Sequence, residues 1–340
     1  MKKITMIGLS AFSVAAVLAL AACGGGGDGG SSSTGSTGSG SGSSGGGSTP
    51  VAVTGTLASP QYAQGSAQLA AFNLLNQYRT QCGFPTLQDN TVLDTAAQNH
   101  AKYEGLNGGL SDNEVSGNAG FTGVTYLERA VQVGFPSTAA GWGVGAGYAT
   151  LTNGFSASQA GQQFVSSLTA GVYHSGAVMY PVNTVGIGEY ETQTTASGNA
   201  FTNAWASMSF LNPQTVKIAN APLTFPCQGT TGVPYGSVGE TPMPPNVSGT
   251  GWGTPVVVMA NPTDTVVLQA VSYTGPSGNV AVQMLNSTTD PNKLLGQYQA
   301  VAYPTSPLQP NTTYSVSITG TVNGIAFSRN FTFTTGNVLG

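Results

Sequence analysis

Apolar positions follow two different rhythms along this chain. Over residues 66–171 they recur at three- and four-residue spacing, which predicts helices. In residues 66–83, Leu69, Phe72, Leu75 and Tyr78 form one stripe, with Ser66 placed to cap it and Gly83 to stop it. Leu93, Ala96, Ala97, His100 and Tyr103 form a second, closed by Asn107-Gly108-Gly109. Thr125 and Glu128 make a T-x-x-E capping box that opens a third and turns Leu127, Ala130 and Val131 toward a core. "SQAGQQFVSSLTAG" is a fourth, and it leads into "GVYHSGAVMYP". Two strand-like runs follow, "NTVGIGEYETQ" and "FTNAWASMSFL", with "TASGN" as the hairpin loop between them.

The rhythm then breaks. "GTTGVPYGSVGETPMPPN" is dense in Gly and Pro and reads as a linker over residues 229–248. Beyond it the helical stripes vanish. "TPVVVMAN", "DTVVLQAVSYT", "NVAVQML", "YQAVAY", "TTYSVSITGTV" and "IAFSRNFTFTT" are short β-branched and aromatic runs separated by turns. Tyr314, Val316 and Ile318 alternate with Ser and Thr, the pattern of a β-sandwich.

The N-terminus changes the picture of where such a chain works. A basic "MKK" precedes an apolar run that ends in "LAAC", which looks like a bacterial lipobox. That resemblance implies a signal peptide over residues 1–22 and a lipid on Cys23. Acyl chains hold a protein to a bilayer through about 0.8 kcal/mol per buried methylene. Gly24 follows the cysteine, which by the same resemblance points to the outer membrane of a bacterial cell envelope. The alternatives are an uncleaved anchor helix and a plain secretory signal. Residues 23–58 open with a Gly/Ser/Thr run that cannot bury enough apolar surface to offset its chain entropy, and so read as a disordered tether.

Without Lys2 and Lys3, six basic residues face twelve acidic ones, a net charge of −6. No basic patch exists, so nucleic acid is not an expected partner. With Cys23 set aside, Cys82 and Cys227 remain. In an oxidising envelope that even remainder reads as a disulfide, the alternative being two separate buried thiols.

Four pieces in order resemble the CAP superfamily, the SCP-like family of cysteine-rich secretory, antigen-five and pathogenesis-related proteins. They are "NQYRTQCGFPTL", "AAQNHAKY", the run from Glu114 to "FTG" at residues 121–123, and "YHSGAVMYPVNTVGIG". The resemblance covers residues 66–228. It implies an α+β fold: an α-β-α sandwich over residues 59–228, followed by an all-β immunoglobulin-like sandwich over residues 249–340. It also implies a cavity in which two histidines and two glutamates of many relatives bind a divalent metal such as zinc.

Carried over residue by residue, His174 matches the second family histidine and Glu114 the first glutamate. Asp112 stands where the first histidine is expected. Ala146, in "GAG", stands where the second glutamate is expected, in a turn. The candidate cavity is therefore Asp112, Glu114, Ala146 and His174. An alanine supplies no ligand atom. A metal site made of Asp112, Glu114 and His174 thus ranks behind two equal readings of His174, a polar cluster with the carboxylates or a bond to backbone. No cofactor is expected. His100, on a helical stripe, reads as a satisfied core histidine.

Other chemistries lack their signatures. No G-x-S-x-G elbow and no H-E-x-x-H is present, and Ser166 and Ser167 have no assignable acid partner. The function expected is a non-enzymatic envelope lipoprotein, held to the membrane through Cys23, that binds an extracellular lipid, glycan or protein. The alternatives are a metal-dependent hydrolase or peptidase using Asp112, Glu114 and His174, and a structural spacer or scaffold.

Overall fold

The structure, a computed structural model, describes residues 53–214 and 216–340. The segment expected to be a signal peptide, Cys23 and most of the expected tether lie outside these residues. Among the described residues no helix is long and apolar enough to cross a membrane.

The first half carries α1 (Ala67–Gln81), β1 (Gln88–Asp89), α2 (Thr91–Asn107), α3 (Tyr126–Gln132), β2 (Ala140–Leu151), α4 (Ala157–Ala170), α5 (His174–Val178), β3 (Thr184–Ala196) and β4 (Asn199–Asn212). Local chemistry sets the ends. Ser66 Oγ accepts from the Leu69 N–H at 3.1 Å, and Gly108 closes α2 at φ 67°. The Thr125–Glu128 capping box opens α3 as its sequence predicts. Ala130 is fully buried there, but Val131 is exposed, because the short helix turns Tyr126, Arg129 and Ala130 inward. Ser197 and Gly198, at φ 51° and 77°, make the tight turn between β3 and β4.

The sheet runs β1-β3-β4-β2, with β1 parallel to β3 and the other pairs antiparallel. Its two faces differ in residue size. Gly186 and Gly188 let α2 lie directly on β3, where any Cβ would strike Leu93 and Ala97. On the opposite face Val144, Ala146, Ile187, Ala206 and Met208 join Leu75 of α1 and Phe164 and Leu168 of α4 in one core. A smaller core of Leu93, Ala96, Ala130, Phe135, Ala139 and Leu211 sits under α2 and α3. This is the expected α-β-α sandwich.

The second half is all β: β5 (Leu223–Phe225), β6 (Thr230–Val233), β7 (Gly236–Ser237), β8 (Trp252–Gly253), β9 (Val256–Met259), β10 (Val266–Gly275), β11 (Gly278–Val280), β12 (Val282–Asn286), β13 (Gln299–Pro304), β14 (Thr313–Val322) and β15 (Ile325–Thr335). One sheet runs β11-β10-β14-β15-β6 and the other β12-β13-β9-β5. Tyr273 of β10 spans the space between them, donating its hydroxyl to the Ala302 carbonyl at 3.2 Å.

Residues 229–248 differ from the linker reading. They hold β6, which pairs with β15, as well as β7 and the buried Val233 and Glu240. β5, just upstream, pairs with β9. The segment looks loose in sequence because its order comes from ladder bonds and single polar contacts rather than from an apolar stripe. Cys82 and Cys227 form the disulfide, with Cα atoms 5.5 Å apart across a sequence separation of 145. One continuous core joins the halves, running from Leu75 and Phe164 to Trp252, Val257 and Tyr303.

Candidate functional site

Two buried polar clusters hold the candidate residues. The first lies between α2, the 108–125 loop, α3 and β2. His100 Nδ1 is 2.9 Å from Glu114 Oε1, and Nε2 is 2.8 Å from the Ser111 carbonyl. A carbonyl only accepts, so Nε2 carries a hydrogen; burial lowers His100 from the ordinary histidine value, against the opposing pull of Glu114. Glu114 also accepts from the Thr122 N–H and hydroxyl. Burial pushes Glu114 up, but the bonds from His100 and Thr122 and the nearby Arg129 charge outweigh it and hold it below the usual carboxylate range.

Arg129 lies 4.3 Å over the Tyr126 ring and donates to the carbonyls of Val124 and Asp112 at 2.8 and 2.9 Å. Asp112 Oδ1 accepts from the Tyr126 hydroxyl at 3.3 Å. Glu104, one helical turn after His100, is buried, and desolvation raises it well above the usual carboxylate range. The narrow waist of β2 makes room for this cluster. A Cβ on Gly145 would come within 2.9 Å of Glu104 Oε1, and one on Gly143 would overlap the Tyr126 ring.

The second cluster forms where α4 meets α5. His174 is fully buried, and its Nδ1 is 2.6 Å from Glu240 Oε1. The Glu240 carboxylate also accepts the N–H groups of Val172, Tyr173 and His174 at 2.7, 2.9 and 2.9 Å. The Trp252 indole donates to the Ala170 carbonyl at 2.8 Å, and the Tyr173 hydroxyl to Asp290 at 2.9 Å. All three clasping residues, Glu240, Trp252 and Asp290, belong to the second half.

Residues 72–212 match the family model of CAP, the cysteine-rich secretory protein family. The chain carries a CAP domain. No curated protein matches the chain. Among solved structures it is similar to an outer surface protein from Borrelia burgdorferi, at 13% identity, with a TM-score of 0.27, over 42% of this chain and 91% of that one. At that identity and overlap the likeness says nothing about function.

Within the CAP domain the four candidate positions fall out differently from their expected grouping. Asp112 and Glu114 share a cluster, but the imidazole that meets Glu114 is His100. His100 is satisfied and in the core, as its helical stripe implies, yet it is also a member of the polar cluster. The carboxylate that meets His174 Nδ1 is Glu240, outside the CAP domain. Ala146 sits within β2 rather than in a turn, opposite Ala206 and on the sheet face away from Gly145. The carboxylate in its row is Glu189, two strands across, pushed up to about 7 by burial and by Glu191.

Among the described residues no three of His, Cys, Asp and Glu are disposed to hold a metal ion. The donor chemistry gives the reason. Both nitrogens of His100 are taken by Glu114 and Ser111, and Nδ1 of His174 is taken by Glu240. Glu114 and His174 thus meet different partners in separate clusters, which does not fit the zinc set that the family implies. Glu240 had only a faint signal in the sequence, a lone acid in a Gly/Pro-rich segment of a chain that is 6% charged.

Proposed function

We propose that this protein is a non-enzymatic, surface-tethered CAP-domain lipoprotein that binds an extracellular ligand. One observation carries the non-enzymatic part. Each histidine spends its Nδ1 on a buried glutamate, His100 on Glu114 and His174 on Glu240, and both side chains are fully buried. A general base must reach the proton it abstracts, and neither imidazole is exposed to do so. The lipobox at Cys23 and the Gly/Ser-rich tether support attachment to the bacterial envelope.

The test uses the full chain. Purified protein is expected to hold no stoichiometric zinc and to leave casein and peptide substrates intact. Zinc that is lost on His174→Ala, or hydrolysis that is lost with it, would overturn the non-enzymatic reading. Expressed in a bacterial host, the chain is expected to take up labelled palmitate, and Cys23→Ser to abolish the label. Unchanged labelling of the variant would overturn the anchor.

A further inference from the structure

The five-stranded sheet of the second half turns one face to its partner sheet and the other to solvent. On β14, Tyr314, Val316 and Ile318 point inward, while Thr313, Ser315 and Ser317 are exposed. The register aligns the outward residues across strands. Thr274, Ser315 and Thr332 form one row, and Ser272, Ser317 and Asn330 the next. Strands stand about 4.8 Å apart and alternate residues about 6.8 Å apart along a strand, so the face is a lattice of hydroxyl and amide groups. Thr313 and Thr334 continue it, with their hydroxyls 2.8 Å apart.

The face is dished into an open groove of about 370 Å³, with Val316 and Phe331 among its lining residues. That volume falls in the range of about 300–1,000 Å³ typical of ligand sites. Gln228 forms a fixed wall. Its Nε2 donates to Thr332 Oγ1 and its Oε1 accepts from the Thr332 N–H, both at 3.1 Å. The adjacent Cys227 is pinned by the disulfide. Such a wall is ordered before a ligand arrives, which lowers the entropy lost on binding.

The lining selects its occupant. No ionisable side chain lines the groove, so neither an anion nor a cation finds a counter-charge. Seven of the nine lining residues carry a hydroxyl or amide, which is unsuitable for a lipid chain that offers no hydrogen bonds. Hot spots of protein interfaces are enriched in aromatic and arginine side chains, and the one aromatic that lines the groove, Phe331, is buried. A polyhydroxylated, uncharged chain matches both the donor–acceptor lattice and the absence of charge. We propose that this face, centred on Ser272, Ser315, Ser317, Asn330 and Thr332, is a binding groove for a neutral polysaccharide. The groove lies outside the CAP domain, so its failure would leave the reading of the buried histidines untouched.

Native electrophoresis of the full chain through gels containing dextran, laminarin, mannan or dextran sulfate tests it. At least one neutral polysaccharide should retard the protein, and dextran sulfate should not. Ser317→Arg, at the centre of the lattice, should weaken retardation at least tenfold. Thr274→Lys is the second variant should the first melt early. Gln193→Arg, an exposed position on β3, should bind like wild type. Three outcomes would overturn the proposal: no retardation by any neutral polysaccharide, retardation that survives both groove variants, or stronger retardation by dextran sulfate.

Discussion

Glu104 and Glu114 are two buried carboxylates within reach of one imidazole, and their surroundings shift them in opposite directions. Glu114 accepts from Thr122, meets His100 Nδ1 and is held below the usual carboxylate range, while Glu104 is desolvated with one bond from the Ser111 N–H and is held well above it. Glu114→Gln should therefore cost about 2–4 kcal/mol, because it leaves a buried donor facing an amide nitrogen. Glu104→Gln keeps an acceptor for the Ser111 N–H and should change stability by less than about 1 kcal/mol. Chemical denaturation of both variants at pH 7 checks this, and equal losses would refute the assignment. Glu189 adds a pH dependence. Its folded value is raised from 4.5 to about 7, so its contribution is full below pH 4.5 and is lost as pH rises toward 7. Glu189→Gln should thus gain thermal stability over wild type on going from about pH 5 to about pH 8. A constant offset between the two proteins across that range would count against it.

At the scale of elements, the disulfide ties the end of α1 to the entry of β6. It closes a loop with a sequence separation of 145, and disulfides typically contribute about 2–4 kcal/mol. The Cys82→Ala/Cys227→Ala double variant should lose that amount in denaturant titration, and a shift near zero would show that the link does not restrain the unfolded chain. How far the elements could be read in advance depended on what held them. α1, α2, α3 and α4 were legible because stripe, cap and stop residues lie within one or two turns of each other. β2 was not, because "AGWGVGAGYATL" has neither alternation nor β-branched density. Its glycines answer to Tyr126 and Glu104, on other elements, and a sequence window cannot contain them. β5 and β6 carry no local signal for a related reason, since their partners β9 and β15 come later in the chain.

Across the whole molecule, the CAP domain and the β-sandwich share a core and are clasped by Glu240, Trp252 and Asp290. Removing the second half would strip three N–H groups and an imidazole of their common acceptor. Heat should therefore unfold the chain in one transition, with matching calorimetric and van't Hoff enthalpies. Residues 53–228 produced alone should show no cooperative melt. Two separated transitions, or a stable isolated fragment, would show that the halves are independent.

The sequence by itself determined what neighbours along the chain enforce: helix ends, the β3–β4 turn, alternation in the late strands, the parity of the cysteines, and the family. It also marked Asp112, Glu114 and His174 as positions of interest. Only the tertiary structure decided which acid meets which base. His174 and Glu240 are 66 residues apart and separated by the whole β3–β4 hairpin. Such a pairing is set by where strands dock and by the cost of leaving a buried charge alone. Neither is written in the spacing of residues around the histidine.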